Sequence, residues 1–249
     1  MSAHEYVVRF STRQRVEHFV VMSLFVILAL TGFPQKFYDS GWASAVVGLF
    51  GGVPQMRWVH RVAGYCLLFA TIFHFFFVLL EVVVRKARLS MVPERQDFKD
   101  AIHQLRYYLR LEDAPARFDR FDYREKFEYW GLVFGNMIMV GSGLVLLYPM
   151  VVARYLPGEL IPTAKIAHSN EGLMAFLVVI TWHVYNAHFA PDIFPFNKTI
   201  FTGRISKHHL QKEHPREFER LFPDEAAAAP AASTPAAPAA EPPAPAPGS

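Results

Sequence analysis

Four apolar stretches, residues 16–36, 58–84, 127–152 and 165–190, constrain this chain more than any other feature. A helix needs about 20 mostly apolar residues to cross the hydrocarbon of a bilayer, and each stretch meets that length. The composition agrees: 52% of the 249 residues are hydrophobic, 23 are Phe, and the mean hydropathy is +0.17. That is too apolar for a soluble chain of this length. The expected fold class is all-α, an integral membrane bundle of four transmembrane helices. The first stretch is read as a retained span. It follows Arg9, Arg13 and Arg15, but it carries His18 and ends in Thr31-Gly32-Phe33-Pro34 with no small-residue cleavage site.

Lys and Arg set the orientation. They crowd the N-terminus, the segment between the second and third spans (Arg85 to Lys126) and the region after the fourth (Lys198 to Arg220). The two remaining loops hold only Lys36, Arg57, Arg154 and Lys165. Both termini and the central loop are therefore expected to face the cytoplasm. The same sidedness accounts for the pI near 9.0, so the basic balance is not read as nucleic-acid binding.

Ionisable side chains inside a membrane span are costly and by default mark function. His60 and His74 lie in the second stretch, 14 residues apart, and His168 and His183 in the fourth, 15 apart. At about 100° per residue and about 1.5 Å rise, each pair lies roughly along one helix face, about 21–22 Å apart. His18 stands at the mouth of the first stretch. A haem iron held by two imidazoles needs one histidine from each of two facing helices at equal depth. His60 and His168 both lie just inside the outer ends of their spans and can share an iron there. His183 lies near the inner end of span four, where His18 and His74 are both placed to face it, and only one of them can complete the iron. A lone membrane histidine reads better as a core residue bonded to a helix carbonyl. Five histidines sorted into two depths read as ligands of two b-type haems. Cys66 is the only cysteine, which excludes a disulfide within the chain, Cys-ligated iron–sulfur clusters and C-x-x-C-H haem attachment.

Other residues invite weaker readings. Arg57 and Arg61 flank His60, and Arg13 and Arg15 precede His18. Each is a partner for a haem propionate or a headgroup anchor, and Arg61, within the span, is the choice for a propionate. Glu171, three positions after His168, is a hydrogen-bond partner or a shield for the outer haem. His188 follows His183 by five positions, about 140° around an α-helix, and is read as an interfacial residue or quinone contact. His4, His103, His208, His209 and His214 lie in polar segments and are read as solvated. Gly131, Gly135, Gly141, Ser142 and Gly143 permit close helix contact, with room for a flat cofactor as the alternative. Gly41–Gly52 is read as a helical hairpin tip at the outer interface. Phe98, Ile102, Leu105 and Leu109 recur at helical intervals and predict an amphipathic helix within 97–111 at the cytoplasmic surface. Residues 223–249, almost entirely Ala and Pro from Ala226, are expected to form a disordered tail. That leaves 1–222 as the membrane domain.

The pattern Arg15-x-x-His18-Phe19, Thr31-Gly32, His60-Arg61-x-x-Gly64 and the two histidines of span four resembles the cytochrome b subunits of respiratory formate dehydrogenases and nickel–iron hydrogenases. Related bacterial cytochrome b/b6-domain proteins carry runs similar to Tyr123-Arg124-Glu125-Lys126-Phe127-Glu128-Tyr129-Trp130, Trp182-His183-x-Tyr185, Phe194-Pro195, Thr202-Gly203 and Glu213-His214-Pro215. The likeness covers residues 9 to about 222. It implies a four-helix dihaem protein that passes electrons between a periplasmic redox partner and membrane quinone, menaquinone or ubiquinone. The partner would be a formate dehydrogenase, a hydrogenase or a multihaem cytochrome c. Carried over from the formate dehydrogenase pattern, His60 and His168 would hold the outer haem, and His18 and His183 the inner one. His74 departs from that pattern. It matches the arrangement in which two helices each supply two ligands, which would pair His74 with His183. We take His18 as the inner ligand, with His74 as its competitor. Quinone reduction takes two electrons and two protons, so the quinone site needs an acid or base; Tyr123, Glu125, Lys126 and Glu128, at the inner start of span three, are the candidates.

Three rivals are weighed against this reading. A haem-free anchor for a soluble enzyme leaves the depth-matched histidines without a role. A transporter would bring midplane carboxylates and broken helices. A self-contained cytochrome b561-like transmembrane oxidoreductase keeps the haems and drops the partner subunit.

Overall fold

The computed structural model describes residues 5–190, 193–194 and 196–228. His4, Pro191, Pro195 and residues 229–249 of the expected tail lie outside this range. Four helices are long and apolar enough to cross a membrane: Thr12–Lys36, Val53–Arg85, Tyr123–Leu147 and Leu160–Phe189. They carry exposed Phe69, Phe76, Leu79, Phe134 and Met137 along their sides. In water such surface costs about 25 cal/mol per Å², whereas in hydrocarbon it costs nothing. The chain is a multi-pass membrane protein, and the positions buried within its four long helices are mostly small: Thr31, Pro34, Ala63, Gly135 and Ala164, beside Met56 and Lys126, as close helix contact in lipid requires.

The helix ends follow local chemistry. Helix α1 (Thr12–Lys36) starts at Ser11, whose hydroxyl accepts the Gln14 N–H while the Gln14 side chain accepts the Ser11 N–H. This capping box lengthens the span beyond the expected start at residue 16. Helix α2 (Gly41–Leu49) fills the expected hairpin tip, and α3 (Val53–Arg85) follows with Pro54 in its first turn. After α4 (Arg95–Tyr108), helix α5 (Tyr123–Leu147) ends short of the expected residue 152. Pro149 disfavours helical backbone at Tyr148 and opens a separate helix, α6 (Pro149–Tyr155). The last span begins as α7 (Leu160–Val178) and continues through two π-helical turns, Val179–His183 and Tyr185–Phe189.

The described residues form two compact units. The first runs up to Val92 and resumes over Arg124–Ser206. It contains the four spans and one departure from the all-α expectation, a two-stranded antiparallel ribbon. Strand β1 (Tyr6–Val8) pairs with β2 (Arg204–Ser206), Val7 opposite Ile205. Helix α8 (Thr199–Thr202) leads into it. Gly203 makes the turn possible: its φ is +77°, and a Cβ there would meet the Phe10 carbonyl oxygen at 2.7 Å. Between the spans, Asn136 donates to the Thr71 hydroxyl (2.6 Å), Trp130 Nε1 donates to the Met91 carbonyl (2.9 Å), and Phe33 meets Phe176 edge-on at 4.9 Å.

The second unit comprises Pro93–Tyr123 and the residues from Lys207 on, with α9 (Lys207–Glu213), α10 (Pro215–Leu221) and α11 (Pro223–Ala228). Its interior mixes Leu210 and Phe218 with charged groups. Arg216 clamps Asp100 through both Nη atoms (2.9 and 3.1 Å), and Arg120 donates to the buried Glu217 (2.9 Å). His214, expected to be solvated, is buried and its Nδ1–H donates to the Asp119 carbonyl at 2.8 Å. His209 pairs with Glu213 one turn on at 2.9 Å. The segment expected to begin the tail opens on α11, where Asp224 and Glu225 complement the helix N-terminus and Glu225 bonds Lys207 (2.7 Å).

Candidate metal centres

The histidines of the spans come together in two cross-helix pairs. A nitrogen ligand binds a first-row metal at about 2 Å, and the imidazole centre lies about 1 Å behind it, so two imidazoles on opposite sides of one iron have ring centres about 6 Å apart. The ring centres of His60 on α3 and His168 on α7 are 6.2 Å apart, and those of His18 on α1 and His183 on the last span are 6.3 Å apart. Both separations fit an iron between the rings. Among the described residues no group of three or more His, Cys, Asp or Glu side chains could hold a metal ion.

The outer shell of the first pair fixes which nitrogen is free. His60 Nδ1 is 2.8 Å from the Thr31 hydroxyl, and His168 Nδ1 is 3.0 Å from the Ser142 hydroxyl. Each hydroxyl has one proton and gives it to the carbonyl one turn back, Thr31 to Ile27 (2.7 Å) and Ser142 to Ile138 (2.5 Å). Each hydroxyl oxygen therefore accepts from the imidazole Nδ1–H. That tautomer leaves the Nε2 lone pair available, the arrangement by which a second-shell partner prepares a histidine for a metal. Glycine admits both rings: a Cβ at Gly32 would lie 3.3 Å from His60 Cε1, and one at Gly143 would lie 3.2 Å from His168 Cε1.

The second pair has a carboxylate in that place. Glu128 Oε2 on α5 is 3.0 Å from His183 Nδ1, which again leaves Nε2 free. Its other oxygen, Oε1, is buried without a hydrogen-bond partner, as is Nδ1 of His18. Glu128 was expected at a quinone site, and the structure puts it behind a histidine.

His74 has different neighbours. Its Nδ1 is 2.9 Å from Glu17 Oε2 and its Nε2 is 3.0 Å from the Tyr129 hydroxyl. Glu17 is paired in turn with Arg13 (2.5 Å), and Arg13 with Glu81 (2.6 Å). Both imidazole nitrogens of His74 are engaged by protein groups, in a chain that joins α1, α3 and α5. His18, by contrast, faces His183 with its ring.

The remaining candidates separate in the same way. Arg61 is exposed. Arg57 bonds Gln35 (3.2 Å), and Arg15 bonds the Phe201 carbonyl (2.9 Å) and the Thr12 hydroxyl (3.1 Å). Lys126 is buried, and Tyr123 meets Phe118 at 6.1 Å. Glu171 lies against Gly135, where a Cβ would meet its Oε1 at 2.6 Å. Within the span-three glycines this is close helix contact, whereas Gly131 and Gly141 have open space beside them. The π-helical turns change the expectation for His188. A π turn bonds i to i+5 and so turns less per residue than an α-helix, which brings His188 closer to the face of His183 than about 140°. His188 stacks on Phe196 at 4.3 Å, and its Nδ1 is buried without a partner.

Sequence reasoning missed Thr31, Ser142 and Glu17 as histidine partners. A hydroxyl or carboxylate in an apolar run was the available signal, but the partner across a helix interface depends on rotation and depth that one span does not encode.

A family model described as prokaryotic cytochrome b561 matches residues 9–195. The cytochrome b556(Fdn) subunit of nitrate-inducible formate dehydrogenase from Escherichia coli is 22% identical over 227 residues, which is 91% of this chain and 96% of that one. The formate dehydrogenase cytochrome b556 subunit of Haemophilus influenzae is 22% identical over 211 residues, 84% of this chain and 81% of its own length. The E. coli cytochrome b556(fdo) subunit is 22% identical over 225 residues, 89% and 96% of the two chains. This chain belongs to the prokaryotic cytochrome b561 family.

Proposed function

We propose that this protein is the membrane cytochrome b subunit of a respiratory oxidoreductase. It relays electrons through two non-covalent b-type haems between a periplasmic redox subunit and the quinone pool of a bacterial inner membrane. The observation that carries the reading is the matched spacing of the two histidine pairs, 6.2 and 6.3 Å between ring centres. His60 and His168 are assigned to the outer haem, and His18 and His183 to the inner one. The haem supplies one-electron exchange when bound. The chain's residues hold, orient and insulate it. Thr31 and Ser142 fix the His60 and His168 tautomers, Glu128 orients His183, and Arg61 is the propionate partner. His74 is assigned away from iron, because Glu17 and Tyr129 occupy both its nitrogens.

Menaquinone or ubiquinone would bind at the inner level, where Tyr123, Glu125 and Lys126 are the groups offered for its protons and Glu128 keeps its place behind His183. The relatives are subunits of formate dehydrogenases and match this chain over nearly all its length. That favours a subunit with a separate catalytic partner, a formate dehydrogenase, a hydrogenase or a multihaem cytochrome c, over a self-contained oxidoreductase. The test is spectroscopic. Purified protein in lipid should show a b-type reduced-minus-oxidised spectrum, and anaerobic quinol should develop it. Absence of b-type absorbance overturns the haem reading; a b-type spectrum that quinol leaves oxidised overturns the quinone reading.

A further inference from the structure

Helix α4 is built inside out. Its buried residues are polar, Asp100 at 7% exposed and Gln104 at 6%, while Phe98, Ile102, Leu105 and Leu109 are 70, 62, 57 and 61% exposed. At about 100° per residue, those four apolar residues fall within about 60° of one another, a single stripe opposite the buried polar face. Arg95, Lys99 and Arg106 run along one edge of it and are exposed.

The rotation of α4 is fixed. Arg216 holds Asp100 with two bonds (2.9 and 3.1 Å), Gln96 donates to Asp100 (2.8 Å), Gln104 accepts the Ala116 N–H (2.9 Å), and His103 Nε2 lies 3.0 Å from the Ala114 carbonyl. The helix cannot roll to bury its stripe without breaking these bonds together. The stripe is therefore shaped for a non-aqueous neighbour outside the unit.

The chain supplies that neighbour at close range. Helix α4 is tethered on both sides to apolar spans, by residues 86–94 after α3 and by 109–122 before α5. The first linker reaches about 30 Å when fully extended, so the helix is confined near the bilayer surface at an effective concentration that a separate partner would have to match. An apolar stripe edged by Lys and Arg is also the composition of a helix that lies in an anionic lipid interface.

We propose that α4 lies in the plane of the bilayer interface. Phe98, Ile102, Leu105 and Leu109 enter the acyl boundary, Arg95 and Lys99 contact anionic headgroups, and the second unit is thereby a lipid-bound unit. The proposal rests on the membrane reading of the apolar helices and is independent of the haem assignment.

Spin labelling of the full chain tests it. Cys66 is the only cysteine, so in a Cys66→Ser background nitroxides are placed at Phe98→Cys, Ile102→Cys and Leu105→Cys, with Asp113→Cys and Ala227→Cys as controls. Vesicles of phosphatidylcholine and phosphatidylglycerol receive the protein, and collisions with oxygen and with a water-soluble nickel chelate are compared. All five labelled positions are exposed, so the fold tolerates them, and far-UV circular dichroism of each variant checks this. The expected result is an oxygen-to-nickel ratio several-fold higher at the three stripe positions than at the controls. A ratio equal to the controls means the stripe faces water, and low collision with both reagents means protein covers it. Either result overturns the proposal.

Discussion

A histidine becomes a metal ligand through the atom behind it. In three of the four paired histidines that atom is visible: Thr31 behind His60, Ser142 behind His168 and Glu128 behind His183. Two are hydroxyls and one is a carboxylate, so the two levels should differ in redox character. With a haem held by His183, the Glu128 charge would favour its oxidised form, and Glu128→Gln keeps an acceptor while removing that charge. At an effective dielectric constant of about 20, the variant should raise the midpoint potential of the inner haem by several tens of millivolts and leave the outer one unmoved, as read by potentiometric titration of the b-type absorbance. Thr31→Val keeps the shape and removes the hydroxyl that accepts from His60 Nδ1. Loss of a second-shell partner weakens metal binding about 10–100-fold. Dialysis against a haem scavenger should strip the outer haem of this variant first.

The spans, the five histidines and their two depths were readable in the residues, because length, charge and a 3.6-residue period are properties of one segment at a time. What was not readable depends on two segments. The neighbours of His74, Glu17 and Tyr129, belong to different helices from His74. The angle given to His188 assumed an α-helix, whereas the backbone takes π-helical turns over Val179–His183 and Tyr185–Phe189. The β1–β2 ribbon was invisible for a third reason: strands of three residues are too short to show alternation. It hinges on Gly203. Adding a methyl there imposes both the strained φ and the 2.7 Å approach to the Phe10 carbonyl. Gly203→Ala should therefore cost about 1–3 kcal/mol and lower the thermal midpoint, while haem content at low temperature stays unchanged.

Taken whole, the chain combines four apolar spans with a second unit whose interior is held by Arg216–Asp100 and Arg120–Glu217. Most of its Lys and Arg lie at the two termini and in the segment between the second and third spans, which predicts that all three face the cytoplasm. Alkaline phosphatase fused after residue 222 should be inactive, and the same reporter placed between α2 and α3 should be active; the reverse pattern would put the His60/His168 pair on the cytoplasmic side and overturn the proposed orientation.

Haem-to-protein stoichiometry in single alanine variants tests the two-pair assignment most directly. The account predicts two haems per chain in the parent and in His74→Ala, and one in each of His60→Ala, His168→Ala, His18→Ala and His183→Ala. Two haems retained in His18→Ala, with one lost in His74→Ala, would contradict it.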